Sequence, residues 1–175
     1  WGERYRHLLL NEDAALFRIR DIPARYAEFF IRAPDDSKTI PGQTWKWGEF
    51  AAWRETLVSD ANQKLSGPSL DTAVVVASVK NIRYERRYFV IDGEVISSSQ
   101  YKAGGRPDFS AYPDEAADSF VKRAVAEFTP ARAFVLDVAG TPEGLRIVEI
   151  NCINSAAFYS CDVSKLVAAI EASAL

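Results

Sequence analysis

One stretch constrains this chain more than any other: Phe134-Val135-Leu136-Asp137-Val138-Ala139, then Thr141-Pro142-Glu143-Gly144, then Leu145-Arg146-Ile147-Val148-Glu149-Ile150-Asn151. Two runs rich in branched and aromatic residues, flanking a tetrapeptide with proline and glycine, read as an antiparallel hairpin of Ala133 to Ala139 against Leu145 to Asn151. A turn centred on Glu143 sets Asp137 directly across from Glu149. Side chains alternate along a strand, so Asp137, Glu149 and Asn151 share one face. Leu136, Val138, Val148 and Ile150 then point to the other face, into a core. Two opposed carboxylates weaken a sheet, and a hard divalent cation relieves the repulsion. Oxygen ligands from Asp, Glu and Asn suit magnesium, which keeps several waters and accepts substrate phosphates. Two alternatives stand beside this reading: a merely solvated polar face, or a one-residue register slip that turns Asp137 the other way.

The remaining chain supplies the elements around this hairpin. Glu28–Arg32 reads as a short strand, and residues 33–42, with two prolines and a glycine, as a loop. Phe50, Trp53 and Leu57 recur at helical spacing between Gly48 and Lys64. Ala73 to Val79 is a valine-rich apolar run, too short for a typical helix, and reads as a buried strand. Tyr88-Phe89-Val90-Ile91 and Val95-Ile96 flank Asp92-Gly93, a pair suited to a tight turn with positive φ. Residues 102–112 read as a flexible loop. Pro113 to Phe128 reads as a helix with Ala117, Phe120, Val121, Ala124 and Phe128 on one stripe. A terminal helix starts at about Asp162, its N-cap, and runs through Leu166, Ala169 and Ile170. The first two dozen residues show no period. The whole is α+β, with helices covering one side of antiparallel hairpins.

Composition narrows the function. A length of 175 residues fits one domain or two small lobes sharing a cleft. The net charge of −3 gives no support to a nucleic-acid-binding surface. Two cysteines and one histidine are too few for zinc, and His7 lies in a polar opening segment that suits no catalytic triad. No apolar run approaches the roughly 18 residues that a spanning helix needs, so a cytoplasmic, reducing compartment with Cys152 and Cys161 as thiols is expected. The opening Trp1, in place of methionine, reads as a processed or trimmed start.

Cationic candidates complete the inventory. Arg32 ends a strand, and Lys38 sits in the following loop, where cations can clamp phosphate oxygens. The loop lacks the Walker spacing. Glu85 and Arg87 alternate onto one face with Phe89, and Arg86 falls on the other; a surface ion pair is the simpler account of them.

Taken in order, FFIRAPDDSKTIPGQ, VVVASVKNIRYERRYFVIDGEVISSSQY and FVLDVAGTPEGLRIVEINCINSAAFYSCDVSKLV resemble the ATP-grasp superfamily, in particular its clade named for two arginines and a lysine. The resemblance implies two α+β lobes with antiparallel sheets enclosing a nucleotide cleft. Residues 28–79 would form the smaller lobe and residues 80–175 the larger. Residues 1–27 would be an N-terminal segment, a candidate remnant of the preceding domain. It further implies that Arg32 and Lys38 contact ATP phosphates and that Ala77, Ser78, Val79 and Lys80 meet adenine. Glu85 would lie near ribose or metal, and Arg87 would face the transferred phosphate. Asp137, Glu149 and Asn151 would hold Mg2+, with Ser155 and Tyr159 bordering the acceptor. The implied activity is carboxylate–amine or carboxylate–thiol ligation through an acyl-phosphate. Implied partners are ATP, a carboxylate and an amine, with self-association open and neither nucleic acid nor membrane. A non-catalytic nucleotide-binding or protein-interaction module and a metal-dependent phosphoesterase are the competing readings. The superfamily usually carries an additional N-terminal domain, and residues 1–27 precede the first matching stretch in this sequence. The chain is thus expected to be a fragment, a minimal member, or one that completes its site with a partner.

Overall fold

Four short strands and one helix form around the aromatic residues of the first half. They are β1 (Ala15–Arg18), β2 (Glu28–Arg32), β3 (Gln43–Lys46), α1 (Trp47–Ser59) and β4 (Ala73–Ala77). The structure is a computed structural model that describes residues 2–35, 39–59 and 67–173. It divides into two units, residues 13–79 and residues 1–12 with 80–175. In the first, an antiparallel sheet runs in the order β1-β4-β2-β3. Phe29, Ile31, Val74 and Val76 turn inward and meet Phe50 of α1, with Trp45, Trp47, Trp53 and Leu57 packed around them. The Phe29 and Phe50 rings meet edge to face at 5.1 Å, a geometry that adds to the burial of both rings. Thus α1 presents the expected Phe50, Trp53 and Leu57 stripe. The expected continuation of α1 to Lys64 lies outside the described residues. β1 and β3 give little sequence signal, because each is a four-residue edge strand on which only part of the side chains, Phe17 and Trp45 among them, reaches the core.

The second unit is built on β5 (Tyr84–Ile91), β6 (Glu94–Ala103), β7 (Arg106–Ser110), α2 (Glu115–Glu127), β8 (Ala133–Thr141), β9 (Gly144–Asn151) and α3 (Val163–Ser173). Its antiparallel sheet runs in the order β7-β6-β5-β8-β9. Asp92 and Gly93 take φ values of 47° and 83°, the positive pair that a two-residue hairpin turn demands. Residues 102–112 are not the expected loop. β6 continues to Ala103, and Gly104 and Gly105, at φ 54° and 77°, turn the chain back into β7. The glycines that suggest looseness in the sequence are here the requirement of a second tight turn.

Asp114 caps α2, its Oδ1 accepting the Ala117 N–H at 3.0 Å. Ala117, Phe120, Val121 and Ala124 then pack with Phe128 on Tyr88, Val90, Phe134, Leu136 and Val138. Asp162 caps α3 by accepting the Lys165 N–H at 3.1 Å, and Leu166 packs against Phe89, Val135 and Cys161. These two residue sets alternate along β5 and β8, so α2 and α3 cover opposite faces of the sheet, not one side. The central strands are apolar on both faces and require a cover on each. Tyr5 is fully buried with α2 and donates its hydroxyl to the Phe128 carbonyl. Among the described residues no helix is long and apolar enough to cross a membrane.

The acidic hairpin forms with one irregularity. Its turn is Pro142-Glu143, closed by Thr141 opposite Gly144, one half-step away from the expected centre on Glu143. A β-bulge between Asp137 and Val138 compensates: Val138 opposes Ile147, Asp137 opposes Glu149, and Val148 is the extra residue. Val148 is therefore only half-buried and does not enter the core, contrary to the alternation argument. Ile147 takes that place, fully buried beside Leu136 and Val138.

Candidate functional site

Three neighbouring strands bring Arg87, Asp137 and Glu149 into one row. Arg87 on β5 is directly opposite Asp137 on β8, which is directly opposite Glu149 on β9. The row lies on the sheet face away from α2, beyond the small core that α3 covers. Asp137 is 1% exposed. Arg87 grips it with two parallel bonds, Nε to Oδ1 at 2.8 Å and Nη2 to Oδ2 at 2.7 Å. This fork-to-fork geometry is the strong form of a carboxylate contact, and it requires arginine rather than lysine. Arg87 also donates from Nη1 to the Ala157 carbonyl at 3.2 Å.

On the outer side Glu149 is exposed and accepts the Asn151 side-chain amide at 2.8 Å. Glu149 in turn interacts with Asp137. Burial pushes the Asp137 carboxyl up to about 6, outweighing the pull of Arg87, and Glu149 beside it acts in the same direction. The Asp137 bonds hold the Arg87 guanidinium charged against its own burial. One guanidinium thus stands in a row with two carboxylates and bonds only one of them, Asp137, which leaves the row short of positive charge.

A second set of contacts rises beside the row. Glu85, nearly buried, accepts the Tyr101 hydroxyl at 2.7 Å and pairs with Lys102 at 2.8 Å. The Tyr101 ring stacks on Tyr159 at 5.0 Å and 14°, and Phe109 also stacks on Tyr159 at 5.4 Å. The Arg87 guanidinium lies 5.1 Å from the Tyr159 ring and 5.5 Å from that of Tyr101, within cation–π range. Tyr159 is held at φ 51°, a left-handed conformation that costs a bulky residue on the order of 1–2 kcal/mol. The aromatic stack and the Arg87 contact offset that strain. Tyr101 and Phe109 escape a reading that ends β6 early; a strand reaching Ala103 would have placed Ser97, Ser99 and Tyr101 beside Arg87.

The residues singled out in the sequence are distributed as follows. Glu85, Arg87, Asp137, Glu149, Asn151 and Tyr159 come together in one unit. Ser155 closes a short 3-10 turn, Ile153–Ser155, just after β9. Arg86 faces the other side of the sheet, donating to the Tyr112 carbonyl at 2.9 Å. Arg32, Ala77, Ser78 and Val79 belong to residues 13–79, and Lys80 opens the other unit. Arg32 is exposed at the end of β2 and donates to the Ala33 carbonyl at 2.9 Å. Ala77 ends β4, and the Ser78 N–H donates to Asp13 Oδ2 at 2.9 Å. Lys38 lies outside the described residues.

The donor set fits a hard cation that is held only in part by protein. Among the described residues no three His, Cys, Asp or Glu side chains cluster as a complete metal cage. Two carboxylates and one amide, with the Asp137 oxygens already bound by Arg87, supply a few oxygen ligands. Magnesium is commonly held by one or two carboxylates, with waters and phosphates filling its other positions.

Several solved structures share the fold. A D-alanine–D-alanine ligase from Bacillus anthracis superposes with a TM-score of 0.64 at 11% identity, over 97% of this chain and 63% of that one. The ATP-grasp ligase PsnB, solved with a minimal precursor, superposes at 0.61 with 18% identity, over 98% of this chain and 57% of that one. The D-cycloserine synthetase DcsG superposes at 0.53 with 12% identity, over 84% and 58%. The fold is therefore that of the ATP-grasp proteins, and this chain spans less than two thirds of each of these three. No curated protein matches it by sequence. Residues 9–170 match the ATP-grasp domain of the third family in the clade named for two arginines and a lysine, and the chain belongs to that family.

Proposed function

We propose that this domain is the nucleotide-binding core of an ATP- and magnesium-dependent ligase that joins a carboxylate to an amine or thiol. The observation that supports this most is the row Arg87–Asp137–Glu149 with Asn151 beside it. It is a charge-deficient oxygen cluster next to a fixed guanidinium, on the sheet face away from α2. In this reading Asp137, Glu149 and Asn151 hold the cation, and Arg32 and Lys38 contact phosphates. Bound there, magnesium would neutralise the triphosphate as the substrate carboxylate takes the γ-phosphoryl group.

Arg87 contributes a positive charge that cannot swing, because Asp137 holds two of its nitrogens. Such a preorganised charge stabilises the phosphoryl group and the acyl-phosphate that forms, without reorganisation during the reaction. Tyr159, stacked over Arg87, and Ser155 border the acceptor that displaces phosphate. Ala77, Val79 and Lys80 meet adenine through backbone groups. The Ser78 amide is already engaged by Asp13, so in this reading Ser78 meets adenine through its carbonyl. We place this chemistry in the cytoplasm.

One observation favours a second reading, a nucleotide-binding module without turnover: Arg87 engages both Asp137 oxygens. Titration calorimetry with ATP, with and without magnesium, tests the first step, and ADP release across carboxylates and amines separates the two readings. Magnesium-dependent ATP binding is expected in the wild type, weakened at least about tenfold in Glu149→Ala while the melt stays cooperative. Equal nucleotide affinity in the two proteins would remove the metal site from the proposal, and binding without any ADP release would leave the module.

A further inference from the structure

β6 carries a bulge where it passes the row of Arg87, Asp137 and Glu149. Glu85 opposes Lys102 and Arg86 opposes Gln100, so Tyr101 is an extra residue against β5. The ladder with β7 passes it over as well, since Gln100 opposes Ser110 and Lys102 opposes Pro107. Successive side chains of a regular strand point to opposite faces. A bulge sets two residues against one and re-aims a side chain. Here both neighbours reach one carboxylate. The Tyr101 hydroxyl donates to Glu85 Oε2 at 2.7 Å, and the Lys102 ammonium lies 2.8 Å from Glu85 Oε1.

Glu85 has a second cation in its neighbourhood. Arg87 is two residues along the same face of β5, about 7 Å away along the strand. The Glu85 side chain is only 9% exposed, and a carboxylate so far from solvent needs a positive partner. Two cations are on offer, and the structure divides them. Glu85 pairs with Lys102 and Arg87 with Asp137. Among the described residues Glu85 and Arg87 share neither an ion pair nor a hydrogen bond. Tyr101 stands against both: its hydroxyl bonds Glu85, and its ring lies 5.5 Å from the Arg87 guanidinium. The row is already short of positive charge, and a third carboxylate on Arg87 would deepen the deficit.

We propose that Tyr101 and Lys102 are positioning residues that hold Glu85 off Arg87 and so leave the guanidinium charge to the phosphates. Lys102 neutralises the carboxylate, and the Tyr101 hydroxyl fixes its direction. The inference rests on the ligase reading, which sets the transferred phosphate at Arg87.

Two measurements test it. The Arg87 Nε–H group, bonded to Asp137, gives a side-chain NMR signal that reports a new partner for the guanidinium without any ligand. Lys102→Met should shift that signal as Glu85 turns to Arg87. In titration calorimetry the same variant should bind ATP with magnesium at least about tenfold more weakly. Adding Glu85→Gln should reverse both changes, because a neutral amide has no charge to place on Arg87. Tyr101→Phe keeps the ring and should give smaller changes in the same direction. Cooperative melts check the folding of each variant. Weakened binding that Glu85→Gln does not reverse would overturn the proposal and give Lys102 a direct contact with ATP instead. A wild type that binds no ATP with magnesium would remove the ligase reading, and the phosphate role with it. An unmoved Arg87 signal in Lys102→Met, beside a wild type that does bind, would overturn the positioning role alone.

Discussion

Removing Arg87 strands a carboxylate in the interior. Asp137 is 1% exposed, and a buried charge whose partner is deleted costs about 3–5 kcal/mol. Arg87→Ala is expected to lose that much in urea unfolding. Arg87→Lys should fall between it and the wild type, because one ammonium cannot reproduce two parallel bonds. Glu149 is solvent-exposed on the outer strand, and Glu149→Ala should change stability by less than about 0.5 kcal/mol. Equal losses for Arg87→Ala and Glu149→Ala would show that the pair does not support the fold. At this scale the opposition of Asp137 and Glu149 was legible, because both lie in one hairpin. The Arg87–Asp137 contact was not, because β5 and β8 are joined through a hairpin and a helix, and no local spacing sets their register.

Among the elements, α2 is tied to the sheet by two tyrosine hydroxyls, Tyr88 to Asp118 at 3.0 Å and Tyr84 to the capping Asp114. Tyr84 lies across from Gly140, where an added Cβ would sit 2.2 Å from the ring. Its hydroxyl donates to Asp114 Oδ2 at 2.8 Å, the residue that caps α2. Gly140→Ala should cost about 1–3 kcal/mol through overpacking, and Asp114→Ala about 1 kcal/mol through the lost cap. Both changes act through Tyr84, so the double variant should lose less than the sum of the two. Strict additivity in a double-mutant cycle would show that Tyr84 does not couple them. Strands β2, β4, β5, β8 and β9, the tight turn at Asp92-Gly93 and the Asp162 cap of α3 follow from local pattern; the Asp114 cap of α2 is missed, the pattern starting that helix at Pro113. β7 does not, since its two turn glycines look the same as loop glycines until a partner strand is in place.

The whole molecule has separate cores in its two units. Three of the four tryptophans, Trp45, Trp47 and Trp53, lie in residues 13–79 around the fully buried Phe50. Phe50→Ala should cost about 3–5 kcal/mol, read as an earlier tryptophan-fluorescence transition. Amide-exchange protection is expected to fall across residues 13–79 and to persist in β5 and β8. Equal loss of protection in β5 and β8 would mean that the cores are not stabilised separately.

Local chemistry was enough to set the α+β class, both main hairpins, the apolar stripe of α2 and the opposition of Asp137 to Glu149. Each of these depends on neighbours within a few residues, where periodicity and turn geometry act directly. Tertiary structure alone decided the strand order β7-β6-β5-β8-β9, and with it the arginine behind Asp137 and the aromatic stack over that arginine. It also decided the bulge at Val148, which preserves the register of the acids although the turn is displaced. Those features rest on pairing between segments distant in the chain, whose alignment is chosen by the packing of both sheet faces at once.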